Sequence, residues 1–313
     1  MTDKLTRNPG RRRIGLIGFG RWGRHILRDL LSLGCKVQAA VPSLASRQAA
    51  TAAGAQIAVE NAVQLDRDLD GYVVAVPTAL HAHVVEQILD RERPIFVEKP
   101  MTDDPEAAER LVDKAGERIF VMNKWCYHGG IEALAQIARS KELGEPKGIQ
   151  TARWQCGQPH DDVNAAWILM PHDLSIVQHV LGYLPPVRAA YGEGVHGVMD
   201  SVVAILGDSP QAVVQVSALW PVYGRMVRVL FEGGIASLVD PMDDHIVIHR
   251  LEGGRLSEKR REERRIDTEL PLRKELSAFV NFLDGGPRPH SSAADGAAVV
   301  RAISEIHHLA GYQ

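Results

Sequence analysis

Hydrophobic positions follow two rhythms along the chain, and the change between them divides it. Over the first ~120 residues, short apolar runs alternate with segments whose apolar residues recur three or four positions apart. Strands are expected at Arg13-Ile17, Lys36-Val41, Gly71-Val76, Ile95-Val97 and Arg118-Met122. The first is followed by Trp22, Ile26, Leu30 and Leu33 on one helical face, until Gly34 supplies a stop. A further helix should start at Asp103-Asp104-Pro105-Glu106, where a capping Asp, a first-turn proline and early carboxylates agree. Strands that alternate with helices predict a doubly wound parallel sheet, whose ligand lies outside the carboxyl ends of the strands. Pro77, Thr78 and Glu98-Lys99-Pro100 fall at such ends.

After a helix near Gly130 to Lys141 the rhythm shortens to two. Ile149-Gln155, Val187-Gly192, Val202-Leu206, Ala212-Trp220, Met226-Phe231, Ile235-Val239 and Ile246-Leu251 read as strands of a mostly antiparallel sheet, closed by helices at Leu272-Leu283 and Ser291-Leu309. In Ala212-Trp220 one face, Val214, Val216, Ala218 and Trp220, is apolar, while Val213, Gln215, Ser217 and Leu219 form a mixed one. A half-apolar second face predicts a homodimer or homotetramer joined through that sheet. The run from Glu258 to Arg265 mixes both charge signs and reads as a solvated hairpin or loop. The expected architecture is α/β plus α+β. A Rossmann domain with a doubly wound parallel sheet occupies residues 1–123, and a substrate-binding and oligomerisation domain on a large, mostly antiparallel open sheet occupies 124–313.

Composition narrows the partners. With 45% hydrophobic residues and a net charge of -3, the chain has no electrostatic case for nucleic acid or a membrane surface. No apolar run approaches the ~20 residues that span a bilayer. Cys35, Cys126 and Cys156 are odd in number, dispersed and without a C-x-x-C pair, so neither a disulfide framework nor a metal site is read, and a reducing cytoplasm is expected. Arg11-Arg12-Arg13 reads as part of a disordered basic tail rather than a twin-arginine signal.

The chemistry concentrates at Ile14-Gly15-Leu16-Ile17-Gly18-Phe19-Gly20-Arg21-Trp22-Gly23. A strand running into Gly-x-Gly-x-x-Gly and a helix describes a pyrophosphate cradle: Gly18 for a tight turn, Gly20 for close approach of the phosphates, Gly23 for close packing of the helix. The acid that would bond the ribose 2′-hydroxyl of NAD about 20 residues later is missing, since no Asp or Glu occurs from Leu30 to Val59. The expected strand end offers Ser43, Ser46 and Arg47 instead. These suit a 2′-phosphate and favour NADP over NAD, unless Arg47 is simply a solvated helix residue.

Gly18-x-Gly20-x-x-Gly23, Val76-Pro77-Thr78 with His81, Glu98-Lys99-Pro100, and Pro171-His172-Asp173-Leu174-Ser175 followed by Leu181-Gly182 occur in that order. In these motifs, which span residues 14 to 182, the chain resembles the glucose-fructose oxidoreductase / inositol dehydrogenase / MocA family. The resemblance implies hydride transfer between nicotinamide and a secondary alcohol or ketone of a sugar, nucleotide sugar or cyclitol. It implies a cofactor site from Gly18, Phe19, Gly20, Arg21, Trp22, Gly23, Ser43, Arg47, Pro77, Thr78, His81, Glu98 and Lys99. Oxidising an alcohol requires a proton acceptor and a positive group beside the developing alkoxide. Lys99 supplies the charge and relays the proton, and His172 is the acid/base residue. His172 is expected in a first helical turn, where the dipole disfavours imidazolium and Asp173 favours it.

One departure stands out. The family commonly has Asp four residues before this His with Gly between them, whereas this chain has Ile168 and Met170; Asp173 is the available substitute. Asn123, Lys124, Tyr127 and His128 either bond polyol hydroxyls or pack between domains. His160, Asp161, Asp162 and Asn164 form a polar loop that either caps the pocket or faces solvent. Two other functions stay open on the sequence: a glycoside hydrolase or lyase using bound NAD for transient oxidation, and a non-catalytic cofactor-binding regulator.

Overall fold

The computed structural model describes residues 12–157, 164–195 and 198–312. Contacts divide the chain into two compact units. The first holds 1–102, 107–122 and 272–293; the second holds 103–106, 123–271 and 294–313. One break falls at Met122/Asn123, and the first unit also takes back a late segment.

In chain order the first part comprises β1 (Arg13–Ile17), α1 (Arg21–Ser32), β2 (Lys36–Ala40), α2 (Leu44–Ala52), β3 (Ile57–Val59), β4 (Gly71–Val74), α3 (His81–Glu86), β5 (Ile95–Glu98), α4 (Pro105–Ala115) and β6 (Ile119–Met122). The sheet order β3-β2-β1-β4-β5-β6 is all parallel and reverses between β1 and β4, the switch point of a doubly wound fold. Near-continuous apolar runs make these strands because both faces of the sheet are covered: Ile14, Leu16, Val73 and Phe96 are fully buried. β3 escaped the sequence reading. It is three residues long and lies half in solvent, so its apolar signal is weak.

The second part comprises α5 (Gly129–Ser140), β7 (Pro146–Cys156), α6 (Ala165–Leu181), β8 (Val187–Val195), β9 (Val198–Leu206), β10 (Gln211–Ser217), β11 (Leu219–Phe231), β12 (Gly234–Leu238), β13 (His245–Glu252), β14 (Arg255–Arg265), α7 (Pro271–Leu283) and α8 (Ala293–Leu309). Eight strands form one sheet, β14-β13-β12-β11-β7-β10-β9-β8, in which only β7 and β10 pair in parallel. Ala212, Val214 and Val216 of β10 point into a core shared with α5, α6 and α8. Trp220, expected on that same strand, instead lies in β11, since β10 ends at Ser217.

Of the two alternatives for the charged run, hairpin or loop, it is the hairpin: the edge strand β14 pairs antiparallel with β13 from His245↔Arg265 onward, and Arg264 donates to Glu142 at 2.8 Å. Charges on an edge also discourage pairing with another sheet. Helix α7, expected to close the second domain, belongs to the first unit. Phe279 stacks on Phe96 at 4.9 Å between ring centres, and Leu272 and Leu276 enter the Rossmann core. Among the described residues, no helix is long and apolar enough to cross a membrane.

Candidate functional site

In the first unit, two of the three motif glycines are demanded by the backbone itself. Gly18 has φ +101°, and a Cβ there would lie 2.2 Å from the Ala75 carbonyl oxygen. A Cβ on Gly23 would lie 2.4 Å from the Gly18 oxygen. Gly20 is different: it is extended (φ -71°, ψ -164°), exposed, and a Cβ would meet nothing within 4 Å. The fold does not require glycine there, whereas an approaching pyrophosphate does. Helix α1 starts next to it with no side-chain cap and no acid in its first turn, so its amides and dipole are left for an anion. These residues fit a nicotinamide dinucleotide. Phe19 enters that cradle through its backbone only. Its ring is buried, with the Arg24 guanidinium 4.6 Å from its centre. Arg21 is exposed and Trp22 half-buried.

At the exit of β2, Ser43 caps α2 by accepting the Ser46 N–H at 3.4 Å. Arg47 is half-buried rather than solvated: its Nη1 donates to the carbonyls of Val41 at 3.1 Å and Pro42 at 2.5 Å. Pro77 is exposed, and Thr78 opens a short 3₁₀ turn after β4. His81 is a correction. It is 1% exposed, with Nδ1 2.8 Å from the Pro100 oxygen and Nε2 2.9 Å from the Val76 oxygen, so it braces two strand-end loops instead of offering a nitrogen to a cofactor. At the end of β5 the Lys99 N–H donates to Glu98 Oε2 at 3.1 Å, and both side chains are half-buried.

In the second unit, His172 is half-buried on α6. It does not lie in a first turn: Asn164 caps the helix, accepting the N–H of Ala166 at 3.1 Å, and His172 follows about two turns later. The N-terminal dipole therefore does not set its protonation, since that effect fades within one turn. Pro171 sits inside the helix. Ile168 and Met170 are buried in the apolar core, so the missing Asp has been replaced by packing.

Asp173 and His128 are corrected as substrate ligands. Asp173 is 1% exposed and accepts Arg153 Nε at 2.5 Å. His128 caps α5, accepting the Gly130 N–H at Nδ1 (3.1 Å), while its Nε2 meets the Pro241 oxygen at 3.0 Å. Asn123, 3% exposed, caps a 3₁₀ turn and Tyr127, 8% exposed, ends it. Residues His160, Asp161 and Asp162 lie outside the described residues. Asn164 is a helix cap whose amide meets His307 Nε2 at 2.6 Å.

A group that the sequence reading passed over surrounds Asp173. Arg153 on β7, Asp173 on α6 and Arg225 on β11 meet around Trp125, with the two guanidinium carbons 4.9 and 4.8 Å from its ring centre. Burial, and then the charge of Arg153, push Arg225 down to about 10. The available signal was parity: Arg153 shares the covered face of β7 with Ile149 and Thr151, where a charge needs a reason.

Comparison with known proteins follows the same outline. Residues 12–122 match the oxidoreductase family with NAD-binding Rossmann fold. Over 143 residues the chain is 34% identical to inositol 2-dehydrogenase from Arthrobacter sp. (strain FB24), covering 42% of each protein. Over 191 residues it is 28% identical to UDP-N-acetylglucosamine 3-dehydrogenase from Acidithiobacillus ferrooxidans, covering 60% of this chain and 59% of that protein. The solved structure of that dehydrogenase, GnnA, superposes with a TM-score of 0.82 at 21% identity, covering 96% of this chain and 97% of the other. The fold is thus shared with that structure over nearly the whole chain: a Rossmann sheet and a large second sheet. Over residues 12–122 the chain is similar to the NAD-binding domain of the glucose-fructose oxidoreductase / inositol dehydrogenase / MocA family. The matched segments span about two fifths to three fifths of these curated relatives.

Proposed function

We propose that the protein is a cytoplasmic NADP-linked oxidoreductase that interconverts a secondary alcohol and a ketone on a sugar, nucleotide sugar or cyclitol. The observation that carries this reading is Gly20, an open, extended position kept free of a side chain beside uncapped helix amides. Ser43 and Arg47, with no carboxylate between Leu30 and Val59, support NADP over NAD. Cys35, Cys126 and Cys156 form no disulfide with one another, in keeping with a reducing compartment.

When bound, the nicotinamide supplies the hydride acceptor or donor. Cradle amides of the Gly18–Gly23 loop hold the pyrophosphate. Lys99 supplies positive charge for the developing alkoxide as the alcohol is oxidised, and His172, in the second unit, is the acid/base candidate. Asn123 and Tyr127 remain candidate hydroxyl contacts, with Asp173 and His128 occupied as described above. Association into a homodimer or homotetramer uses the face of the large sheet opposite the core, where Val203, Val213 and Leu230 are only partly covered.

The test is Lys99→Ala. NADPH affinity should stay within about two-fold while turnover on any active sugar falls by at least about 100-fold, the usual scale of acid/base and charge stabilisation. Turnover within a few fold of the parent would remove Lys99 from the chemistry.

A further inference from the structure

The cluster around Trp125 holds more positive charge than it balances. Arg153 is 3% exposed, Asp173 is 1% exposed, and Arg225 is the second guanidinium against that single buried carboxylate. The other carboxylate that acts on Arg225 is Asp240, an exposed loop residue whose Oδ1 already accepts the Met242 N–H at 2.8 Å. Three buried donors have no acceptor among the described residues: Arg153 Nη1, Arg225 Nε and Trp125 Nε1. All three residues line one cavity of about 10 Å³, together with Asp173, Leu238 and Pro241. Buried donors are almost always satisfied, so three orphans around one space call for an acceptor.

We infer that Arg153 and Arg225 receive a carboxylate of the substrate, which makes the substrate a sugar acid or a related hydroxy acid rather than a neutral sugar. One negative charge balances the single excess positive charge, and the cavity has room for one acceptor oxygen beside the three donors. Arg225, half-buried and 5.5 Å from the exposed Tyr223 ring centre, forms the outer side of the receptor; Arg153, fixed by Asp173, forms its floor. The inference rests on the proposed oxidoreductase reading for its substrate class, but it concerns the second unit alone.

The experiment is calorimetric titration of the NADPH-saturated protein and of Arg225→Gln with acetate, D-gluconate, D-glucuronate, D-glucose and D-glucose 6-phosphate at constant ionic strength. The carboxylates should bind saturably to the parent, at least ten-fold more tightly than glucose, and Arg225→Gln should erase that preference while NADPH affinity holds. Arg225→Lys, which keeps the charge and loses the fork, should retain part of it. No carboxylate binding by the parent, an undiminished preference in Arg225→Gln, or tighter binding of the phosphate ester would each overturn the assignment. Failure of NADPH to bind, with carboxylate binding intact, would strike the oxidoreductase reading and leave the receptor standing.

Discussion

Replacing the motif glycines one at a time separates what the fold needs from what the cofactor needs. Gly23→Ala places a methyl group 2.4 Å from the Gly18 oxygen, against a normal contact of about 3.2 Å, so helix α1 or the loop must give by nearly 1 Å. Overpacking of that kind costs about 1 to 3 kcal/mol. Gly20→Ala meets nothing within 4 Å and keeps an extended φ that any residue adopts, so its cost is the loss of a favoured cap residue, below about 1 kcal/mol. Its methyl group, however, occupies the approach of the phosphates and should weaken NADPH at least about ten-fold, ~1.4 kcal/mol. Urea unfolding and nicotinamide fluorescence titration on the same preparations give both quantities. Gly23→Ala should be the less stable protein and Gly20→Ala the folded one that fails to bind. A Gly20→Ala variant with parental affinity for NADPH would refute the cradle.

Other expectations follow from the same structure. Arg47→Ala should weaken NADPH far more than NADH, and an unchanged ratio of the two dissociation constants would remove Arg47 from the 2′-phosphate. Asp173→Ala should cost about 3 to 5 kcal/mol in urea unfolding, because it leaves the buried Arg153 guanidinium without its carboxylate; Arg153→Met combined with Asp173→Leu should recover most of that loss. Bonds from Arg264, together with Arg250 and against a smaller opposing effect of burial, hold Glu142 at about 2. Its folded value lies below its unfolded one, so this stabilisation is complete above about pH 4.5 and fades as pH falls toward 2. Screening limits it to about 1 kcal/mol, and Glu142→Gln should flatten the pH dependence of the unfolding free energy, read by urea titration, by this amount in that window.

The Rossmann half was legible because each signal there is local: an apolar run, glycines at fixed spacing, a cap and a first-turn proline all lie within a few residues of the element they specify. β1 and the start of α4 fall where the pattern predicts. Tertiary context decided the rest. The charged β14 forms because β13 presents a ladder to it, and Phe279 of α7 joins the Rossmann core across more than 180 residues of sequence from Phe96. At the candidate site, Gly20, Lys99 and His172 were named from their motifs. Polar neighbours misled where their partners are distant: Asp173 belongs to Arg153, and His81 to two carbonyls. Arg225 lacked any local signal, since its role follows from residues on three other elements.

Titration of the purified protein with NADPH and NADH, followed in the same cuvette by sugars, keto-sugars, sugar acids and nucleotide sugars with nicotinamide absorbance as the readout, tests the proposed hydride transfer most directly. Saturable NADPH binding tighter than that of NADH, with a substrate-dependent absorbance change that Lys99→Ala abolishes, is the predicted result. Absence of binding to either nucleotide, or turnover that survives Lys99→Ala, would contradict it.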